Sequence, residues 1–311
     1  MSAHLRPFHQ VDVFTATPYQ GNPLAVVLDG QGLSEEAMQR FARWTNLSET
    51  TFVLPPTQPQ ADYRVRIFTP GGELPFAGHP TLGSCHAWLQ AGGQPRAAGS
   101  PTQIVQECGV GLVPLQRSGQ TLAFAAPPLQ RSTVAPALQA QLMQALGLSD
   151  AQVLAVQMLD NGPRWLTFLL DQVDSVLALE PDHLALKALG YKVGVAARAP
   201  ADGGVSLIAR RSREARAFAD HADDPARGAE ADLEVRAFAA ATGVNEDPVT
   251  GSLNASLAQW LMAEGWLGER YVAAQGRCLG RNGRVQLSRD AQGQVWVGGE
   301  VANCIQGQVW L

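Results

Sequence analysis

Few residues of this chain carry charge, and lysine is almost absent. Charged residues make up 16% of the 311 positions, the formal net charge is -5, and the two lysines are Lys187 and Lys192. This acidic balance offers nucleic acid no electrostatic attraction. A lysine-bound cofactor would have to use Lys187, within a helical pattern, or Lys192, at the start of a predicted strand. We therefore expect neither a nucleic-acid partner nor Schiff-base chemistry.

Cysteine is also scarce. The four cysteines, at positions 85, 108, 278 and 304, form no Cys-x-x-Cys pair and have no histidine-rich neighbourhood with zinc-ligand spacing. This pattern predicts a reduced protein without a metal site. The chain also has no glycine-rich phosphate loop of the Walker or dinucleotide type, which argues against a bound nucleotide.

Long apolar runs are missing as well. Residues 1–7 lack the apolar core of a signal peptide. No stretch approaches the ~18 consecutive apolar residues that a membrane helix needs. At 311 residues the chain is long enough for about two domains, and its 46% hydrophobic residues indicate a globular protein. We expect a globular cytoplasmic protein.

Short apolar runs separated by Gly, Pro and Asn are present throughout, and they predict a mixed protein rich in antiparallel sheet. Strands are predicted near residues 8–15, 23–28, 51–54, 62–68, 102–107, 111–116, 121–125, 153–158, 165–170, 192–197, 205–210, 233–238, 285–287, 295–297 and 308–311. Helices are predicted at about 34–45, 80–90, 135–146, 182–189 and 248–264. Ser34 is the expected N-cap of the first helix. Residues 211–231 are predicted to be mobile, and Pro127-Pro128 is the expected domain crossing.

A six-residue pattern, [His/Asp]-Pro-x-x-Gly-Ser, occurs at 79–84 and again at 247–252. Each copy follows a Val-Arg-x-Phe strand, at 65–68 and at 235–238. Three identities in six positions can arise by chance, but the matching strands favour two halves of one duplicated architecture.

Both copies are predicted to begin helices, because proline is favoured at the first helical position. His79 and Asp247 would then be N-caps. Aspartate is a good N-cap, so Asp247 fits a structural role, whereas histidine is a poor one, which favours a functional role for His79. The backbone N–H groups of 81–83 and 249–252, with the Ser252 hydroxyl, would attract an anion such as a substrate carboxylate.

Glu49 follows a predicted helix and precedes an apolar, β-branched strand. A carboxyl group buried there would have a raised pKa and could transfer protons. The local sequence alone favours an exposed loop glutamate. In the repeat, Cys85 corresponds to Leu253, so no pair of thiols faces itself across the two halves. A racemase that uses two thiols is therefore not expected.

Four segments, Gly21–Val27, Asn46–Thr50, Phe76–Thr81 and Glu246–Ser252, closely resemble the PhzF family of phenazine-biosynthesis-like isomerases, as does the later stretch Gly280–Arg284. The resemblance implies an α+β fold of the diaminopimelate-epimerase type. In that fold, two similar lobes related by a pseudo-twofold axis each wrap a curled, mostly antiparallel sheet around a central helix. We expect an N-terminal lobe of 1–126, completed by a last strand at about 300–311, and a C-terminal lobe of 127–299.

The resemblance also implies a function. Glu49 matches the glutamate that moves a proton between carbons of a dihydro-hydroxyanthranilate ring in the family's phenazine enzyme, which reverses the local expectation for this residue. His79, Asp247 and Ser252 match the family's other site residues. Together with the helix heads, the implied site comprises catalytic Glu49, His79, Asp247 and Ser252 and substrate-binding Gly78, Thr81, Thr250 and Gly251. No cofactor and no metal are expected, and homodimers are usual in the family.

The resulting expectation is a cofactor-independent isomerase acting on a small carboxylate, with cyclic dienes among the candidates. One alternative is a racemase or epimerase of a small carboxylic acid. It would need a second base opposite Glu49, supplied by His79 or Asp247. The other alternative is a catalytically idle family member that serves as an interaction protein, and the presence of all four catalytic candidates argues against it.

Overall fold

The structure is a computed structural model that describes residues 4–96, 102–200 and 231–311. The strand predicted near 205–210, and the segment predicted to be mobile at 211–231 except for its last residue, lie outside these ranges. The strands in chain order are β1 (Leu5–Val13), β2 (Asn22–Val27), β3 (Thr50–Leu54), β4 (Tyr63–Thr69), β5 (Gly72–Leu74), β6 (Gln103–Cys108), β7 (Gly111–Ser118), β8 (Thr121–Ala125), β9 (Gln130–Ser132), β10 (Val153–Asp160), β11 (Arg164–Leu170), β12 (Lys192–Arg198), β13 (Leu233–Ala239), β14 (Val244–Asp247), β15 (Arg270–Gln275), β16 (Gly283–Arg289), β17 (Val295–Gly299) and β18 (Val301–Trp310). The α-helices are α1 (Glu35–Thr45), α2 (Gly78–Gln90), α3 (Pro136–Leu146), α4 (Val173–Leu177), α5 (His183–Leu189) and α6 (Gly251–Ala263).

The chain divides into two compact units. The first comprises Met1–Ala126, Val249–Ala255 and Ser288–Leu311, and the second comprises Pro127–Pro248 and Ser256–Leu287. The first five residues of α6 therefore belong to the first unit, whereas the rest of the helix and residues 127–248 belong to the second.

A curled sheet forms the first unit. β1 pairs antiparallel with both β18 and β2, β2 pairs parallel with β3, and β3 pairs antiparallel with β4. β4 continues in parallel to β6, and antiparallel pairs then join β6 to β7, β7 to β8 and β8 to β17. β18 pairs along the whole of β1, from Leu5 opposite Trp310 to Val13 opposite Val301.

Helix α2 is the central element of this unit, and it packs against β1, β2, β3, β8 and β18. The residues of its first two turns are buried. Gly83 permits the close approach, because a Cβ built there would lie 2.5 Å from Cδ2 of Leu24 and 3.0 Å from Cγ2 of Val13. The sheet therefore fixes the position of the helix head at Gly78.

In the second unit, β10 pairs antiparallel with β9 and β11, β11 pairs parallel with β12, and β12 pairs antiparallel with β13. β12 occupies one edge of β13 along its length, so β14 and β15 share the other edge. Helices α3 and α5 pack on each other, and α4 packs on β11, β12 and β13. The core between these elements includes Leu142, Leu166, Phe168, Val195 and Phe238.

The repeated Val-Arg-x-Phe segments are strands with matching local contacts, one in each unit. Arg66 forms a two-pronged ion pair with Glu73 and lies 5.0 Å from the ring of Phe68. Arg236 forms the same kind of pair with Glu246 and lies 5.0 Å from the ring of Phe238. The sequence repeat is therefore also a repeat of local structure.

Most of the predicted elements are present, and the Ser34 cap is confirmed, since its hydroxyl accepts the N–H of Ala37 at 3.3 Å. The predicted caps at the two repeated helices are wrong. α2 begins at Gly78 after an Ala77 N-cap that provides no capping side chain, so His79 and Pro80 lie inside its first turn. Proline is tolerated throughout the first turn because those N–H groups have no acceptor within the helix.

The second repeated helix also begins later than expected. β14 ends at Asp247, and three further residues precede the start of α6 at Gly251, so Asp247 is not its N-cap. The last strand is longer than the predicted 308–311, because β18 continues the pairing with β1 from Val301. Short elements with weak patterns were not predicted, namely β5, β9, β14, β15 and α4.

Candidate active site

Glu49 lies between the end of α1 and the start of β3. The helix ends at Asn46, which has a left-handed conformation with φ 55° and donates its N–H to the Ala42 carbonyl. The strand that follows starts at Thr50, which is fully buried. The Glu49 side chain is 16% exposed. The expectation from the local sequence that the Glu49 carboxylate is exposed is therefore wrong. The left-handed turn at Asn46 leads the chain directly into a buried strand.

His79 lies in the first turn of α2 and contacts Glu49. Its Nε2 atom is 3.3 Å from Oε2 of Glu49, and its side chain is 7% exposed. The contact follows from the packing of α2 against β3, the strand that Glu49 precedes. A carboxylate and an imidazole at this distance can share or exchange a proton, which is the requirement for general acid/base chemistry.

A buried polar network fixes α2 beneath this pair. The Ser84 hydroxyl donates to the hydroxyl of Thr51 on β3 at 2.8 Å. On β6, the amide of Gln106 donates to the Thr81 hydroxyl at 3.0 Å and accepts the Tyr63 hydroxyl at 3.0 Å. Such fully buried bonds are costly to break, because each group would lose its partner without gaining water. The network therefore orients the helix head.

Thr81, an expected substrate-binding residue, belongs to this network. It is fully buried, and its backbone N–H donates to the Ala77 carbonyl at 3.2 Å. The N–H groups of 81–83 were expected to face an anion, but the early start of α2 makes them part of its helical ladder. The N–H groups without an acceptor inside a helix belong to its first turn, which here starts at Gly78.

The head of α6 adjoins the head of α2 within the first unit. The Asn22 side chain on β2 donates to the carbonyl of Val249 at 2.9 Å, and both residues are fully buried. A Cβ built on Gly251 would lie 3.2 Å from Cα of Gly78 and 3.4 Å from the backbone nitrogen of His79. Glycine at both positions therefore lets the two backbones approach closely.

The other expected residues of this helix head lie in the first turn of α6 or directly before it. Thr250 precedes the helix, and its carbonyl accepts the N–H of Asn254 at 3.1 Å. Ser252 is half-buried in the first turn, directly after Gly251. Two helix N-termini thus adjoin beside His79, and each concentrates partial positive charge that favours an anion.

Asp247 belongs to the second unit. It is the last residue of β14 and lies opposite Ala237 on β13. Its carbonyl accepts the side-chain amide of Gln275 at 2.9 Å, and the residue is half-buried. The first unit contains the other seven predicted site residues: Glu49, Gly78, His79, Thr81, Thr250, Gly251 and Ser252.

The cysteine on α2 is chemically quiet. Burial raises the pKa of the Cys85 thiol to about 12, and the side chain is fully buried. A thiol in this state supplies almost no thiolate at neutral pH. Among residues 4–96, 102–200 and 231–311, no group of three or more His, Cys, Asp or Glu side chains is arranged to hold a metal ion.

Two supporting residues of this region were not predicted. Asn22 could have been suspected, because it lies in one of the motifs shared with the PhzF family. Gln106 has no such signal, since its role depends on the parallel pairing of β6 with β4, where it lies opposite Tyr63.

The chain belongs to the PhzC-PhzF family. Residues 11–307 match this family, which is described as phenazine biosynthesis-like protein. Trans-2,3-dihydro-3-hydroxyanthranilate isomerase of Pseudomonas aeruginosa is 34% identical over 97% of this chain and 98% of its own length. Antisense-enhancing sequence 1 of Schizosaccharomyces pombe is 32% identical over 98% of each chain.

Solved structures show the same fold. A PhzF-family protein of Bacillus anthracis matches 99% of this chain and 100% of its own, with a TM-score of 0.79 and 22% identity. A hydroxyproline epimerase of Agrobacterium vitis matches 99% of this chain and 93% of its own, with a TM-score of 0.58 and 13% identity. The expected family and the α+β fold of the diaminopimelate-epimerase type are confirmed.

The expectation of an isomerase is confirmed at the level of the family, since homologues along nearly the whole chain are named isomerases. None of the helices that the structure describes is long and apolar enough to cross a membrane.

Proposed function

We propose that this protein is a cofactor-independent isomerase that moves a proton between two carbons of a small carboxylate. Glu49 is the acid/base group, and His79, Asp247 and Ser252 bind or polarise the substrate. The contact between Glu49 and His79 carries the proposal, because two proton-transferring groups are sheltered together at a helix head.

The proton balance needs no other reactant. The Glu49 carboxylate takes a proton from one carbon, the electron pair is delocalised through the adjacent double bond, and the carboxylic acid returns the proton to the carbon at its far end. One base on one face of the substrate suffices for this 1,3 shift. His79 supports the cycle by exchanging a hydrogen bond with Glu49 as the carboxyl group gains and loses its charge.

Negative charge develops on the substrate when the proton leaves, and the helix heads provide its stabilisation. The first turns of α2 and α6 present backbone N–H groups beside His79, and Ser252 adds a hydroxyl group. Donors that are already in place act strongly because they need no reorganisation during the reaction. They also support the proposal that the substrate carries a carboxylate.

The racemase alternative requires two bases on opposite faces of one carbon. The 3.3 Å contact between Glu49 and His79 leaves no room for a carbon between them, so these two residues do not form such a pair. Cys85 is fully buried, and burial raises the pKa of its thiol, so it offers almost no thiolate to act as a base at neutral pH. An epimerase would therefore depend on Asp247 as its second base.

The proposal is tested by proton exchange. The protein is incubated in deuterated water with trans-2,3-dihydro-3-hydroxyanthranilate, the substrate in the name of its relative, and deuterium uptake is followed by NMR. We expect exchange into the ring with the native chain and none above background with Glu49→Gln. Glu180→Gln provides the control, because it makes the same change from carboxylate to amide at an exposed residue that has no proposed role.

Each outcome of this experiment separates the candidates. Exchange that persists in Glu49→Gln removes Glu49 from its role. Inversion at a single carbon, detected by chiral chromatography, supports the epimerase. If the native chain exchanges no proton with this compound or with a panel of small unsaturated carboxylates, the idle interaction protein is supported instead. A homodimer and a cytoplasmic location remain predictions, which gel filtration with light scattering and cell fractionation would test.

A further inference from the structure

Asp247 and Gln275 meet because two strands share one edge of β13. β15 pairs with the first part of that edge, where Gln275 lies opposite Val235. β14 pairs with the next part, where Asp247 lies opposite Ala237. The ends of β14 and β15 are thus brought side by side, although the whole of α6 and the turn after it separate them in the chain.

Gln275 uses this proximity to hold the main chain of Asp247. Its side-chain Nε2 donates to the Asp247 carbonyl at 2.9 Å, and the residue is 1% exposed. A buried hydrogen bond to a main-chain carbonyl restricts the peptide on both sides of it. The bond therefore acts on the backbone that carries the Asp247 carboxylate.

The next residue, Gly276, packs closely against Pro248, the residue that follows Asp247. It has φ +99°, and a Cβ built on it would lie 2.7 Å from the carbonyl oxygen of Pro248 and 2.8 Å from Cβ of Arg281. Any side chain here would have to displace the peptide between Pro248 and Val249. Only glycine combines this conformation with this contact.

A contact between Arg277 and Glu234 holds the loop that contains Gly276 against β13. Arg277 follows it in a single 3-10 turn, and its Nε is 3.2 Å from Oε2 of Glu234. The Glu234 side chain is 3% exposed and belongs to β13, the strand that β14 and β15 share. The loop that contains Gly276 and the ends of β14 and β15 therefore all contact the same strand, β13.

We infer that Gln275 and Gly276 are positioning residues that set the place of Asp247 by holding the Asp247–Pro248 main chain. The inference rests on the proposed function for its effect on catalysis, while its structural part stands apart from that function. Gln275 does not touch the reacting atoms in this view. It acts through the residue that does.

The first test replaces the side-chain donor at constant size. Gln275→Met is compared with Gln294→Met, because Gln294 also donates to main-chain carbonyls, those of Ala126 and Val295, and lies in the first unit. We expect kcat to fall about tenfold or more in Gln275→Met, since small misplacements of a reacting group are costly. KM should stay within about twofold, because binding contacts remain. Gln294→Met should keep its kcat.

The second test replaces the glycine. Gly276→Ala is compared with Gly293→Ala, because Gly293 has a similar φ of +85° but nothing within 4 Å of its added Cβ. Both variants carry backbone strain, so they should lose similar stability from that source. Only Gly276→Ala should also lose kcat. Equal kcat in both glycine variants, or equal loss of kcat in both methionine variants, would overturn the inference.

A readout that does not use activity keeps the inference separate from the proposed function. Amide hydrogen exchange is measured by mass spectrometry on the peptide that contains β14. We expect faster exchange at Val244–Asp247 in Gln275→Met than in the native chain or in Gln294→Met. If the native chain has no isomerase activity, this measurement decides the inference alone, and unchanged exchange in β14 refutes it.

Discussion

The carboxylate of Glu49 and the imidazole of His79 lie 3.3 Å apart, each sheltered from solvent. They come from unlike surroundings, one from the turn before an inner strand and the other from the first turn of a buried helix. Because strand and helix pack on each other, the contact does not depend on a flexible loop. A rigid pair of this kind suits a reaction in which one proton leaves and returns on the same face.

His79→Asn is expected to lower kcat by about two orders of magnitude, in the range typical of general acid/base groups. The imidazole is lost, but Glu49 remains as the base, so some exchange should persist, unlike in Glu49→Gln. Deuterium uptake measured at several substrate concentrations separates kcat from KM. An unchanged kcat in His79→Asn would show that Glu49 works without its neighbour.

Gly83→Ala is expected to lower the free energy of unfolding by about 1–3 kcal/mol through overpacking. The added methyl group would lie against Leu24 and Val13 in a close contact between α2 and the sheet. Gly72→Ala is the control, because nothing lies within 4 Å of its added Cβ and its φ is not positive. Urea denaturation measures both, and equal stability of the two variants would contradict the packing described for α2.

Asn22→Leu is expected to cost about 1–3 kcal/mol, because it leaves the buried Val249 carbonyl without its donor. The variant should also lose kcat, since the head of α6 is held to β2 by this bond. Asn303→Leu removes an amide of an exposed residue bonded to His86 and serves as the control. Denaturation and exchange assays on both variants would show whether the bond matters, and a stable, fully active Asn22→Leu would argue that it does not.

The stability of the second unit is expected to depend on the ionisation of Glu234. Burial raises the pKa of Glu234 from 4.5 to about 7, although Arg277, Arg284 and Arg236 oppose this rise. A carboxyl group with a higher pKa in the folded protein contributes stability at low pH that is lost as the pH rises through about 7. Glu234→Gln has no proton to lose and should be more stable than the native chain at pH 8, by up to about 3 kcal/mol.

The difference in stability between Glu234→Gln and the native chain should grow as the pH rises. At pH 5 the native Glu234 is largely protonated, so Glu234→Gln should show little gain there. Guanidinium denaturation at pH 5, 6, 7 and 8 measures the trend. A gain that is constant across this range, or that appears only at low pH, would contradict the assignment to Glu234.

Much of the fold follows from local patterns in the sequence. The start of α1 is predictable because Ser34 caps it, and α3 and α5 end at the predicted residues, where Gly147 and Gly190 adopt the left-handed conformation. The start of α2 was misplaced because Ala77 gives no capping signal. Short strands such as β14 were missed because their few residues form no clear period and they exist through pairing with distant strands.

The candidate site likewise has residues that the sequence predicts and residues that it does not. The family resemblance predicts Glu49, His79, Asp247 and Ser252 as site residues, whereas local reasoning favours an exposed Glu49. The supporting residues are harder to predict, because the bond from Asn22 to Val249 and that from Gln275 to Asp247 join segments far apart in the chain. Their partners are main-chain carbonyls, which exist at every position and leave no trace in the sequence.

The two copies of the arginine, glutamate and phenylalanine contact differ in their access to salt ions. The Arg66 and Glu73 side chains are 20% and 35% exposed, whereas those of Arg236 and Glu246 are 7% and 8% exposed. Added electrolyte weakens pairs that solvent can reach and leaves buried ones almost unchanged. The two matching contacts therefore differ in ionic sensitivity, so concentrated sodium chloride should loosen the Arg66–Glu73 pair first and leave the Arg236–Glu246 pair intact.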